Sequence, residues 1–224
     1  MKKTSLSIEK ILTLDGTDSL FVPELNEQYH SKFGAFTESR HIYINNGLHS
    51  LHSNHISIFE LGFGTGLNAF LTLSEADKFK IKVKYDAIEI NPLPLSIINQ
   101  LNYASKAGTA YSNLFLKLHE AEWGKETELS ACFTLKKLHH DFCSYLFDQK
   151  YDLIYFDAFA PMVQPELWTQ EIFNKVSEAM NPDAILVTYS AMGEIRRRLI
   201  SSGLEVKRLP GPPGKREILQ AHKP

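Results

Sequence analysis

Cysteine is scarce in this chain. Cys132 and Cys143 are the only two among 224 residues, and they have neither the C-x-x-C spacing of a zinc knuckle nor the density of a disulfide framework. Both are expected to be reduced and partly buried. Long hydrophobic runs are also missing. The longest, LIYF at 153–156 and AILV at 184–187, fall far below the ~18 residues a membrane-spanning helix needs, so no membrane partner is expected. Glu9, Lys10 and Asp15 interrupt any apolar stretch near the N-terminus, which argues against a secretory leader and for a cytoplasmic protein. Low-complexity tracts and internal repeats are absent. The net charge of −2 is too small for a protein that coats nucleic acid through bulk charge. It is unevenly spread, however. Residues 191–224 hold eight Lys or Arg against three Glu, a local +5 that leaves the first 190 residues at −7.

What is present is a globular core: 43% hydrophobic residues against 22% charged ones are enough to bury a single domain of this length. From residue 55 onward short apolar runs alternate with amphipathic stretches, the pattern of an α/β fold with a mostly parallel sheet. Strands are predicted over 55–62, 83–90, 133–140, 151–158 and 184–190. Helices are predicted over 94–107, with Ile97, Ile98, Leu101 and Ala104 on one face, and over 165–180, with Trp168, Ile172, Val176 and Ala179 on one face. A short helix at 191–202 follows, and then 204–211 and 215–222 flank a GPPG turn as an antiparallel hairpin. The expectation is seven strands. Residues 108–131 are too long for a simple connection and should hold an extra helix or loop. Residues 1–54 read as an accessory strand and loop segment, and 55–224 as the main domain.

The most informative motif is Glu60-Leu61-Gly62-Phe63-Gly64-Thr65-Gly66, at the end of an apolar strand and the start of a helix. Glycines there allow a tight turn and close approach of a ligand, and the helix N-terminus offers free N–H groups. A G-x-G-x-x-G dinucleotide fingerprint is not met, because Leu67 stands at its third glycine, and no Lys-Ser or Lys-Thr follows as in a P-loop. Glu89 ends the next strand, 23 residues beyond Gly66, where a carboxylate can accept both hydroxyls of a ribose. Asp141 closes the third strand, placed either to contact an adenine amino group or to N-cap a following helix.

A glycine loop followed by acids after strands two, three and four resembles the layout of class I S-adenosylmethionine-dependent methyltransferases, a Rossmann-like fold. ELGFGTGLN (60–68), DAFAP with PELW (157–161, 165–168), TYSAMGEIRRRL (188–199), GKRE (214–217) and YHSKFGAFTESRHIYINNGL (29–48) are similar to the methyltransferase half of the MnmC family. The resemblance implies S-adenosyl-L-methionine as cofactor, tRNA as partner, and methylation of the exocyclic amine of 5-aminomethyl-(2-thio)uridine at the wobble position. It implies cofactor contacts from Glu60, Leu61, Gly62, Phe63, Gly64, Thr65, Gly66, Asn68, Glu89 and Asp141, and places Asp157 at the reactive centre. Chemistry gives Asp157 a role of its own. A primary amine is an ammonium ion at neutral pH and must lose a proton before it attacks a methyl group, so an aspartate at a strand end can orient the amine, stabilise positive charge and relay the proton. The plainer alternative is that Asp157 caps its loop or touches the cofactor.

Arg196, Arg197, Arg198, Lys215 and Arg216 are candidates for tRNA phosphates. Consecutive arginines spread over about 200° of a helix, so at most two share a face; Lys215 and Arg216 also match the family motif. Phe159 can stack on a base, whereas Trp168 falls on an apolar stripe and is assigned to the core. Met162-Val163-Gln164 stand where the family carries a lysine and an asparagine. The bifunctional relatives also carry an FAD-dependent oxidase domain for which 224 residues leave no room, so separate enzymes are expected to supply the aminomethyl uridine. His49, His52 and His55 repeat every three residues, but without a neighbouring acid or cysteine pattern no metal site is expected. Two rival readings are a methyltransferase for a small amine and a noncatalytic cofactor- or tRNA-binding module.

Overall fold

A computed structural model describes residues 7–108 and 111–224. Strands β1 (Glu9–Leu12), β2 (Asp18–Val22) and β3 (Glu27–Gln28) make a small antiparallel sheet. Helix α1 (Ala35–Ser39) runs on into a π-helical turn, Arg40–Asn45. The main sheet then begins with β4 (His55–Leu61), followed by α2 (Leu67–Phe79), β5 (Lys82–Glu89), α3 (Leu95–Ile98), α4 (Tyr103–Ala107) and α5 (Ser112–Glu120). The remaining elements are β6 (Glu126–Ser130), β7 (Phe133–His139), β8 (Tyr151–Phe156), α6 (Gln170–Glu178), β9 (Met180–Thr188), α7 (Gly193–Ser201), β10 (Glu205–Pro210) and β11 (Glu217–His222).

The order across the sheet is β10-β11-β9-β8-β4-β5-β7-β6. The five central strands are parallel, and β10 and β11 continue the sheet antiparallel, as the sequence pattern implies. The sheet has eight strands where seven are expected. The additional one is β6, which pairs antiparallel with β7 inside the 108–131 stretch, beside α5. The chain leaves β4 toward β5 on one side, while β8 lies on the other, so the sheet reverses its order at β4. In open α/β sheets the ligand crevice lies at that reversal, beyond the carboxyl ends of the strands.

Period-two alternation sorts the strand residues into two cores. Ile56, Ile58, Leu153 and Tyr155 face α2 and the π-helical turn, and Phe59, Ile154 and Phe156 face α6 and α7. Residues 18–48 belong to the first core: Leu20, Ala35, Ile42, Tyr43, Ile44 and Leu48 are all buried in it. The predicted 94–107 helix is two helices, and Asn102 is the reason. Its side chain accepts from Asp18 N–H at 2.8 Å and donates to the Gly16 carbonyl at 2.9 Å, while its own N–H donates to Asp18 Oδ2 at 3.0 Å. These bonds to the β1–β2 turn replace the bonds a continuous helix would need.

The 165–180 helix is also divided. Pro165–Trp168 form a 3-10 turn, and α6 starts at the extended Thr169, whose hydroxyl accepts from Ile172 N–H. Trp168 is fully buried among Phe156, Phe173 and Tyr189. Cys132 is buried but Cys143 is exposed, in the turn after β7, which corrects the expectation that both are partly buried. Among the described residues, no helix is long and apolar enough to cross a membrane.

Candidate active site

The carboxyl ends of β4, β5, β7, β8 and β9 open into one cleft of about 940 Å³, at the upper end of the range typical of small-molecule sites. Its floor is the glycine loop. Gly62 and Phe63 both donate their N–H to the Ile88 carbonyl, at 3.1 and 3.2 Å, which pins the loop to the end of β5. Glu89 completes the pin, with Oε2 accepting from Gly64 N–H at 3.0 Å and Oε1 from Asn91 N–H at 2.9 Å. Gly62 has to be glycine: its φ is +91°, and a Cβ there would lie 2.5 Å from the Asp157 carbonyl oxygen.

Asp157 follows β8 directly, and its N–H donates to the Leu61 carbonyl at 3.0 Å, placing it beside the glycine loop. Its Oδ2 accepts from the Asn68 side-chain amide at 2.8 Å, and the same amide nitrogen donates to Glu60 Oε1 at 3.0 Å. Burial raises the Asp157 carboxyl from 3.8 to about 7, against the lowering effect of Tyr43 and Asn68; Glu38 adds to the rise and Lys215 opposes it. Burial, and then the Asp157 charge, also push the Glu60 carboxyl well up. Both carboxyls are thus shifted toward the protonated form.

The other walls come from far along the chain. Tyr29, His30 and Glu38 line the cleft from the N-terminal segment, with Phe159 and Tyr189 opposite. Tyr29 and Phe159 meet edge to face, their ring centroids 5.1 Å apart. Phe159 is held through its backbone, its N–H donating to Gln164 Oε1 at 3.1 Å and its carbonyl accepting from the Trp168 indole at 2.8 Å. Burial lowers His30 to about 4, so it sits neutral in the wall, 3.1 Å from Ser19 Oγ.

Leu61, Gly62, Phe63, Gly64, Thr65, Asn68, Glu89, Asp141, Asp157, Phe159 and Lys215 all line this cleft. Two expected cofactor residues do not. Glu60 is fully buried because strand alternation turns it to the side of Ile56 and Ile58, beneath α2, where it holds Asn68. Gly66 faces α5, and a Cβ there would lie 2.8 Å from His119 Nε2. Arg196, Arg197 and Arg216 also lie outside the cleft lining, with Arg197 and Arg216 exposed. Arg198 is tied to the Trp168 carbonyl and to Glu194. His49 pairs with Glu75 at 3.1 Å. Tyr29, Glu38, Tyr43 and Tyr189 are among the site residues that sequence reasoning did not single out. The only sequence signal for the first three was the motif segment 29–48 taken as a whole.

The donor set fits S-adenosyl-L-methionine. A Cβ at Gly62 or Gly64 would press on Asp157 or Tyr29, the Glu89 carboxylate lines the cleft with lone pairs left to accept further hydrogen bonds, and Asn68 Oδ1 is a buried acceptor with no hydrogen-bond partner, beside Asp157.

Comparison with known proteins agrees with this geometry. The solved structure of MNMC2 from Aquifex aeolicus superposes with a TM-score of 0.79 over 98% of this chain and 71% of that one, at 23% identity. Spermidine synthase from Thermotoga maritima superposes with a TM-score of 0.56 over 93% of this chain and 69% of that one, at 16% identity; both likenesses show the fold. Among curated proteins, the tRNA 5-methylaminomethyl-2-thiouridine biosynthesis bifunctional protein MnmC of Campylobacter fetus is 27% identical over 91% of this chain and 34% of its own length. The protein of the same name from Aeromonas salmonicida is 29% identical over 84% of this chain and 31% of its own length. The chain thus spans about a third of the curated relatives it matches. Residues 109–224 match the family described as S-adenosyl-L-methionine-dependent methyltransferase, and the chain belongs to this family.

Proposed function

We propose that this chain methylates the exocyclic amine of 5-aminomethyl-(2-thio)uridine at the tRNA wobble position. The observation that carries the reading is the Asp157 carboxyl, set between the glycine loop and the Tyr29–Phe159 wall and raised to about 7. When bound, S-adenosyl-L-methionine supplies an electrophilic sulfonium methyl. Asp157, as the carboxylate, takes a proton from the acceptor's ammonium, which frees the nitrogen lone pair to form the new N–C bond; the product leaves as a methylammonium ion, and Asp157, neutral while that bond forms, returns its proton to solvent. Asn68 fixes Asp157 Oδ2 and ties it to Glu60, whose carboxyl burial pushes well up. Phe159 and Tyr29 offer aromatic faces for the uracil ring.

The names of the bifunctional relatives support tRNA as acceptor, and so does the +5 excess of residues 191–224. In this reading Arg196, Arg197 and Arg216 meet phosphates outside the cleft. The protein works in the cytoplasm. Residues 55–224 form the methyltransferase domain, and 1–54 are an accessory segment that walls its cleft. A small-molecule amine is the second reading, favoured by the absence of these three arginines from the cleft lining. The test is methyl transfer from labelled S-adenosyl-L-methionine to tRNA bearing 5-aminomethyluridine, with unmodified tRNA and small amines as controls. Label confined to the wobble nucleoside is expected. Label on small amines alone would move the assignment to the second reading.

A further inference from the structure

One primary ammonium already lines the cleft, and it belongs to the chain itself. Lys215 Nζ lies 3.3 Å from Glu38 Oε1 and 4.5 Å from the centroid of the Tyr189 ring. A carboxylate on one side and an aromatic face on the other make a cation box. The box is rigid. Glu38 is buried and its second oxygen accepts from Ser31 N–H at 2.7 Å, while Tyr189 is tethered through its hydroxyl to the Ala158 carbonyl at 2.9 Å, one residue from Asp157. Lys215 is the movable part. It stands on the connection between β10 and β11, next to Gly214 at φ +86°, and keeps 29% of its side chain exposed on a flexible four-carbon stem.

We propose that Glu38 and Tyr189 form the subsite for the acceptor's ammonium group, and that Lys215 is its internal occupant, displaced when a substrate amine enters. The proposal rests on the amine-methylating reading and deepens it. The displaced and entering groups are both primary alkylammonium ions, so the exchange leaves the charge around Glu38 and Asp157 unchanged. A hydroxyl in the same place would leave the buried Glu38 carboxylate without its cation, which makes the box selective for amines over alcohols. Lys215, once released beside the exposed Arg216, becomes available to a phosphate oxygen. Acceptor entry and backbone docking are then coupled through one side chain.

The test is calorimetric titration of the full chain, holding S-adenosylhomocysteine, with the nucleoside 5-aminomethyluridine and with its 5-hydroxymethyl isostere. Lys215→Met should tighten the amine by about tenfold, and Glu38→Gln should weaken it by about tenfold, with the alcohol changed little by either, as expected for one desolvated charge contact. S-adenosylhomocysteine titrations of both variants show whether they are folded, and Lys215→Arg should restore competition with the amine. Unchanged or weaker amine binding in Lys215→Met, parallel shifts for amine and alcohol, or no amine binding at all would overturn the subsite. Methyl transfer to aminomethyl tRNA by the unaltered chain is read separately. If transfer persists while the titrations fail, only the subsite falls; if transfer is absent while amine preference follows Glu38, the subsite stands and the tRNA assignment falls.

Discussion

Trp168 donates its indole N–H to the carbonyl oxygen of Phe159 across 2.8 Å. This links a fully buried core residue to an aromatic residue of the cleft wall. Trp168→Phe keeps most of the packing against Phe156 and Phe173 but leaves that carbonyl without its donor. Chemical denaturation should show a loss of about 1–3 kcal/mol. Steady-state kinetics should show KM for the acceptor rising more than KM for the cofactor, because the Phe159 ring loses its anchor.

The glycine cradle should tolerate no side chain at Gly62. An alanine there combines φ +91° with a contact of 2.5 Å to the Asp157 carbonyl oxygen. Gly62→Ala should cost about 1–3 kcal/mol of stability and weaken S-adenosylhomocysteine binding by more than tenfold, measured by calorimetry.

Asp157 ties stability to pH. Its carboxyl lies near 7 in the fold against 3.8 as an isolated group. The folded chain therefore holds the proton more tightly than the unfolded one. The resulting stabilisation is complete below 3.8 and is lost as pH rises to about 7. Urea denaturation between these limits should show stability falling with pH, and Asp157→Asn should flatten the slope.

Lys137 acts in the opposite sense. It is 1% exposed, donates to the His119 carbonyl at 2.6 Å and lies over Trp123, and burial lowers its ammonium from 10.5 to about 8. The unfolded chain binds the extra proton between those values, so stability should recover as pH rises from 8 to 10.5. Lys137→Met should remove that alkaline gain, read from denaturation midpoints across the same range.

The features legible in the sequence were the local ones. The glycine loop, Glu89 and Asp157 each follow an apolar strand directly, and the GPPG turn announces β10 and β11. Strand β6 was missed because ETELS has weak apolar alternation and takes its pairing from β7. The single helix over 94–107 was misjudged because Asn102 spends its hydrogen bonds on residues 16 and 18, more than eighty positions away. Tyr43 and Glu38 were hidden for the same reason. Nothing near them in sequence indicates that they face Asp157, and that proximity comes from packing residues 35–45 on β4 and β8. Glu60 shows how strand alternation acts on a motif, since its period-two position turns it under α2 and away from the cleft lining.

The central claim is that Asp157 accepts the ammonium proton of an amine undergoing methylation. The most direct measurement is the pH dependence of single-turnover methyl transfer to tRNA bearing 5-aminomethyluridine, for the unaltered chain and for Asp157→Asn. The unaltered chain should gain rate as pH rises through about 7. The variant should lose roughly 10²–10⁴-fold, as removal of a general base does, keep its affinity for S-adenosylhomocysteine, and lack that titration. A variant that transfers methyl groups at the original rate with the original pH profile would contradict the account.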